Sequence, residues 1–187
     1  SHKSPFQASS IFSKLSLSSS DIDEVIKKII LDKKEESKTS LKMIYDKEES
    51  IIRNLLTFKS ATYQKVYEDS NDFAETYPFI PYQFKLLQDV FTDIRKHGYA
   101  GKHLSSGERS LLGAFQETAK RYGNSEVGTI IPFYAFYDTI EQFLEGTVKR
   151  VFQNAIDIMR NGSLKEMDIN VLKILFMLKN IDYIPTN

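Results

Sequence analysis

The chain has 187 residues, 41% hydrophobic and 27% charged, which suits an ordinary globular protein and excludes an intrinsically disordered one. Lys+Arg and Asp+Glu each number 25, so the formal net charge is zero and no global pull toward nucleic acid is expected, although a local patch is compatible with it. There is no Cys, which removes disulfides and thiolate metal ligands, and the three His alone are too few for a zinc site without carboxylate help. A chain of this length makes one substantial domain or two small ones and buries roughly 70% of its unfolded surface. Its apolar runs are short and interrupted, so no membrane span is expected. The start, Ser1-His2-Lys3-Ser4-Pro5, has no apolar signal region, and the expected compartment is the cytoplasm. Ser1 in place of Met leads to the expectation of a piece cut from a longer protein.

Eight Gly and five Pro favour helices over a turn-rich β fold. Residues 1–20 are Ser-rich and read as an irregular leader, with one short strand at Ser10-Ile11-Phe12. Ser20 or Asp21 caps a first helix, whose acidic first turn suits the dipole. Ile22, Val25, Ile26, Ile29 and Ile30 share one face of it, and Lys33 and Lys34 lie near its end. A second helix is predicted from about Ser40 to Phe58, with Leu41, Ile44, Tyr45, Ile51, Ile52, Leu55 and Leu56 on one side. Residues 57–71 read as a further short helix plus loop, with Tyr63, Val66 and Tyr67 apolar.

Tyr77-Pro78-Phe79-Ile80-Pro81-Tyr82 is the sharpest break, because each proline forces extended geometry on the residue before it. Pro81 then starts a helix that buries Phe84, Leu87, Val90, Phe91 and Ile94 and stops at His97-Gly98. Ser105 and Glu108 form a capping box for a helix burying Leu111, Leu112, Phe115, Ala119 and Tyr122, closed by Gly123-Asn124-Ser125. After Thr129-Ile130-Ile131-Pro132, one long helix is predicted from about Phe133 to Arg160, since the 3.6 period runs from Ile140 to Met159. A last helix opens at or before Asp168, with Val171, Leu172, Leu175, Phe176 and Leu178 as core. The domain reading is a leader at 1–20, a helical region at 21–125 and a C-terminal helical region at 126–187, truncated at its end.

No GxxxxGK[ST] phosphate loop occurs, so the chain alone is not expected to hydrolyse ATP. Leu104-Ser105-Ser106-Gly107-Glu108 resembles the LSGGE signature of ABC ATPases, but that signature needs a Walker A partner, and a capping box explains Ser105 and Glu108 without a ligand. Gly107-Glu108-Arg109 at a helix start supports a phosphate contact, because helix N-termini favour anions and an arginine fork binds phosphate in bidentate fashion. Arg95, Lys96, Lys102 and His103 surround it as candidate phosphate or partner contacts. Lys27, Lys28, Lys33 and Lys34 read as a solvated face with Asp32, Glu35 and Glu36, and the prolines and aromatics of 77–82 as a rigid wedge more than a ligand platform. Glu24, Asp138 and Glu141 suggest no acid–base pair, and no catalytic or metal-ligating residue is assigned.

From Tyr77-Pro78-Phe79-Ile80-Pro81-Tyr82-Gln83-Phe84 through Gly101-Lys102-His103-Leu104-Ser105-Ser106-Gly107-Glu108-Arg109-Ser110, the sequence resembles the P-loop ATPases of bacterial BREX phage-defence systems, called BrxC or PglY. Asp21-Ile22-Asp23-Glu24-Val25-Ile26, Ile131-Pro132-Phe133-Tyr134 with Tyr137-Asp138, and Val171 to Phe176 fit the same family in the same order, so the resemblance spans roughly residues 20–187. One departure is Ile29, where family members carry Arg after the two lysines. The resemblance implies a large AAA+-like ATPase whose Walker motifs lie N-terminal to this piece. The piece itself would be an all-α bundle of lid type, with about seven helices and little or no β.

By the same resemblance, Gly107 and Arg109 would be the Gly-x-Arg pair whose arginine approaches the γ-phosphate. The fragment would bind no cofactor by itself, ATP and Mg being held by the full-length parent. Its expected partners are the rest of the same ATPase chain and other BREX proteins, with no membrane. The alternative is a DNA- or protein-docking helical module without a nucleotide role, carried by residues 95–109 and the tyrosines of 77–82.

Overall fold

A computed structural model describes residues 19–56, 65–99 and 107–184, which form an all-α bundle with no strand among them. The strand expected at Ser10-Ile11-Phe12 lies outside the described residues. Eight α-helices occur among the described residues: α1 (Ser19–Val25), α2 (Glu35–Leu56), α3 (Ser70–Thr76), α4 (Pro81–Lys96), α5 (Gly107–Arg121), α6 (Tyr137–Ile140), α7 (Gly146–Arg160) and α8 (Glu166–Leu178). None among the described residues is long and apolar enough to cross a membrane.

The main core draws its buried side chains from Ile22 on α1 to Ile181 after α8, and so combines residues from both sides of position 125. Its centre is aromatic. Phe79 meets the edge of Phe115 at 4.9 Å and stacks on Phe136 at 5.3 Å, and Phe84 stacks on Phe115 at 4.8 Å. Such pairs add stabilisation beyond the area they bury. A second, smaller core joins Leu41 and Tyr45 of α2, Tyr67, and Phe73 and Ala74 of α3 to Ile80.

The Tyr77–Tyr82 segment links the two cores. Phe79 enters the first, Ile80 enters the second, and Tyr82 packs against both. Gln83 holds this segment in place. Its side chain is 0% exposed. Its Oε1 accepts the Ile80 N–H at 3.0 Å, the carboxamide half of a capping box, and its Nε2 donates to the Ile131 carbonyl at 2.9 Å. The Ile131 N–H donates to the Pro78 carbonyl at 2.9 Å. The Tyr67 hydroxyl donates to the Phe79 carbonyl at 2.8 Å. Backbone that cannot join a helix is thereby satisfied inside the protein.

Several elements depart from the sequence reading. The first helix is α-helical only to Val25. A π-helical turn, Ile26–Ile30, follows and ends with the Leu31 N–H on the Ile26 carbonyl at 3.0 Å. That extra residue swings Ile29 to the surface and places Lys33 and Lys34 beyond the helix. The helix expected within 57–71 lies partly outside the described residues, and in the described part it starts only at Ser70. There Asp69 caps it by accepting the Asp72 N–H at 2.8 Å.

The single long helix from Phe133 to Arg160 is corrected to a 3₁₀ turn (Phe133–Phe136), α6, a second 3₁₀ turn (Glu141–Phe143) and α7. Leu144 and Glu145 are extended, with ψ of 153° and 154°. The Glu145 N–H leaves the helical ladder and donates to the Tyr99 carbonyl at 2.9 Å. The apolar period continues across the break because α6 and α7 send side chains into the same core. In α8, Ile169, Met177 and Leu178 are buried, whereas Val171 and Leu175, expected in the core, are exposed. The helix stops at Leu178, earlier than the expected Ile184-Pro185.

Gly113 sits within α5, at a φ that any residue adopts, and a Cβ built there meets nothing within 4 Å. Gly113→Ala is expected to raise stability by about 0.5–1 kcal/mol through lost unfolded-state entropy, read as a higher urea midpoint at unchanged slope. Gln83→Met leaves a buried donor and a buried acceptor without partners. It is expected to cost about 3 kcal/mol in the same experiment, and a loss below 1 kcal/mol on this scale would deny the side chain its bracing role.

Candidate functional site

The candidate nucleotide-sensing residues lie at the start of α5. The helix begins at Gly107, which places Arg109 in its first turn. Leu111, Ala114, Phe115 and Thr118 lock the following turns into the core, Thr118 through a 2.9 Å hydroxyl pair with Thr139. The axis of α5, and hence the direction its N-terminus faces, is therefore set by packing. Lys120 and Arg121 in the last turn complement the dipole at the other end. Lys102, His103 and the Ser105 half of the expected capping box lie outside the described residues.

Arg95 and Lys96 occupy the last turn of α4, and both are exposed. Arg95 makes a weak 3.4 Å contact with the Thr92 hydroxyl. The chain leaves α4 through a Schellman motif. Tyr99 N–H bonds to the Ile94 carbonyl at 3.1 Å and Gly98 N–H to the Arg95 carbonyl at 3.4 Å, with Gly98 at φ +69°. Glycine is the residue that takes this left-handed φ without strain.

The exit from α4 is clamped by the C-terminal part of the chain. Asp93 is buried and pairs with His97 Nδ1 at 2.7 Å, and its other oxygen accepts from Asn180 Nδ2 at 2.8 Å. The Lys179 ammonium lies 3.7 Å from the Tyr99 ring centroid, a close cation–π contact. One turn earlier, Asp89 accepts the Tyr183 hydroxyl at 2.6 Å and pairs with Lys85. Lys85, Asp89, Asp93 and His97 thus form one i,i+4 ladder along α4, and residues after α8 dock on it. The sequence reading missed this ladder. Its spacing was visible, but its partners lie about ninety positions away and no local signal marks them.

Asp138 serves as an ion-pair hub among the described residues. It accepts from Lys173 on α8 at 2.7 Å and Arg121 on α5 at 3.3 Å, an ion-pair web that ties three helices. Within the aromatic segment Phe79 and Ile80 are buried, Tyr77 and Tyr82 are half-buried, and the Tyr77 hydroxyl accepts the Gly128 N–H at 3.0 Å. The solvated lysine face is corrected in part. Lys27 reaches across to Asp72 at 3.0 Å, which joins α1 to α3. Lys33 turns onto the carbonyls of Leu31 at 2.7 Å and Glu75 at 3.3 Å. It lines a cavity of about 560 Å³ together with Ser37, Tyr77 and Tyr122. No group of three or more metal-ligating side chains occurs among the described residues.

No known family model matches the chain, and no solved structure matches it.

Burial, followed by the nearby Lys38 charge, pulls the Lys33 ammonium down to about 8. The charges of Asp32 and Glu75 work the other way. At pH 8 about half of this amine is neutral, against well under 1% of an ordinary lysine. Limiting acylating reagent at pH 8 is therefore expected to label Lys33 ahead of the exposed Lys28 and Lys34, read by peptide mass mapping. Equal labelling of the three would contradict the depressed amine.

Proposed function

We propose that this chain is the helical lid and regulatory region of a large AAA+-like P-loop ATPase of bacterial BREX anti-phage defence, sensing nucleotide held by a core outside it. The observation that supports this most is the start of α5 at Gly107, with Arg109 in the first turn of a 15-residue helix packed into the core. Unpaired N–H groups at such a start attract anions, and a guanidinium beside them adds a bidentate fork. Arg109 would stabilise charge on the γ-phosphate during hydrolysis, and loss of that phosphate would release α5 and move the lid. The motif resemblance over roughly residues 20–187 supports the same reading. ATP and Mg²⁺ then belong to the parent, and the partners are the rest of its chain and other BREX proteins.

A second reading, a docking module for DNA or protein, rests on the exposed Arg95 and Lys96 at the end of α4. It has less support, because Phe79 and Ile80 of the segment meant to share the contact are buried and Tyr77 and Tyr82 are half taken up in packing. Salt-dependent binding of duplex DNA by the isolated chain, lost in Arg95→Ala/Lys96→Ala, would favour it.

The lid reading expects no ATP turnover from the isolated chain. In an ATPase chain that contains it together with a phosphate loop, Arg109→Ala is expected to lower kcat by about tenfold or more, with Arg109→Lys recovering only part. Unchanged turnover and unchanged nucleotide affinity in Arg109→Ala would remove this arginine from the mechanism.

A further inference from the structure

Lys33 lies between the π-helical turn and α2 and is half-buried. A lysine removed from water ordinarily finds a carboxylate. Lys33 has no ion pair among the described residues, and the nearby Lys38 instead takes Asp32 at 3.5 Å and Glu35 at 2.9 Å. The Lys33 Nζ donates to the carbonyls of Leu31 at 2.7 Å and Glu75 at 3.3 Å. Two N–H groups serve those acceptors, so a neutral amine keeps both bonds and holds a lone pair at its remaining position. Burial and the Lys38 charge favour that neutral form over the opposing charges of Asp32 and Glu75. Desolvation and a cationic neighbour are two means by which a lysine becomes a nucleophile toward carbonyl carbon.

The amine lines a cavity of about 560 Å³, a size that holds a small organic ligand. Ile30, Leu31, Pro78 and Ala119 give the cavity apolar walls, and Tyr77 and Tyr122 add aromatic rings. Charge narrows the ligand. Among the described residues that line the cavity, Lys33 is the one cation, and Asp32 and Glu36 are the carboxylates. A phosphate or carboxylate ligand would face two like charges with no second cation to hold it, which is unfavourable. An uncharged carbonyl compound with an aromatic body meets no such repulsion and suits the tyrosine and aliphatic walls.

We propose that Lys33 captures a neutral aromatic aldehyde or ketone in this cavity as a protonated imine. The amine lone pair forms the C–N bond while the carbonyl π pair moves onto oxygen. That oxygen leaves as water, with one hydrogen from the amine and one proton from solvent. The imine nitrogen keeps one N–H, enough for the Leu31 carbonyl. The longer bond to the Glu75 carbonyl lies on the exposed side and is replaced by water. Asp32 and Glu36 on the wall offset the charge of the imine. This assignment does not rest on the nucleotide-sensing reading.

The test uses the whole chain, 4-hydroxybenzaldehyde as the probe, and cyanoborohydride, whose hydride adds to the imine carbon and fixes the product as a secondary amine. Peptide mass mapping reads the modified lysines. At pH 8 Lys33 is expected to react about tenfold or more faster than the exposed Lys28 and Lys34, since about a hundredfold more of it is neutral and its lower basicity offsets part of that gain. Its rate is expected to saturate with aldehyde concentration, and to fall on addition of 4-hydroxybenzyl alcohol, which has the same ring and no carbonyl. Ser37→Phe fills the cavity from an exposed position on α2. It is expected to remove both the saturation and the protection by alcohol, with helical content by circular dichroism unchanged. Equal rates at the three lysines, a rate that grows linearly with aldehyde, or saturation that survives Ser37→Phe overturns the proposal.

Discussion

The buried carboxamide of Gln83 is the contact on which the rest of this fold depends. Two prolines interrupt the chain between α3 and α4, so the residues there cannot satisfy one another in a helix. Left alone inside a protein, their N–H and carbonyl groups would cost several kcal/mol, at about 1–3 kcal/mol each. One side chain serves the N–H of Ile80 and the carbonyl of Ile131 together. That geometry sends Phe79 into the larger core and Ile80 into the smaller one. The α2–α3 pair is thereby carried on the main bundle.

The bundle in turn orients two surfaces. The packed face of α5 fixes where its N-terminus looks, and a Schellman motif ends α4 beside Arg95 and Lys96. That exit is held by residues from the far end of the sequence, through Asp93–Asn180, Asp89–Tyr183 and Lys179 over Tyr99. On α2, Ile51 and Leu55 stay exposed.

Element existence was largely legible from periodicity. Pro81 at the first turn, Gly98 after the last, and the spacing of Phe84, Leu87, Val90, Phe91 and Ile94 specify α4 from local chemistry alone. The α5 start at Gly107 is equally local. The long helix from Phe133 to Arg160 shows where this fails. Its apolar spacing persists because both halves face one core, while Leu144 and Glu145 are pulled straight by a hydrogen bond to Tyr99, more than forty positions away. Likewise Val171, Leu175, Ile51 and Leu55 obey the pattern of core residues and are exposed, since periodicity identifies an apolar face but not whether the chain supplies a cover for it.

By itself, then, the sequence determined the helical class, most helix starts and stops, and the start of α5 beside Gly107 and Arg109. These follow from propensities and caps that act within one or two turns. Only the tertiary structure decided that Gln83 joins two cores, that Lys33 is half-buried against carbonyls, that Asp138 ties α5 to α8, and that α2 leaves Ile51 and Leu55 exposed. Those outcomes depend on which distant backbone groups and charges arrive at the same place, and that information exists only once the chain has folded.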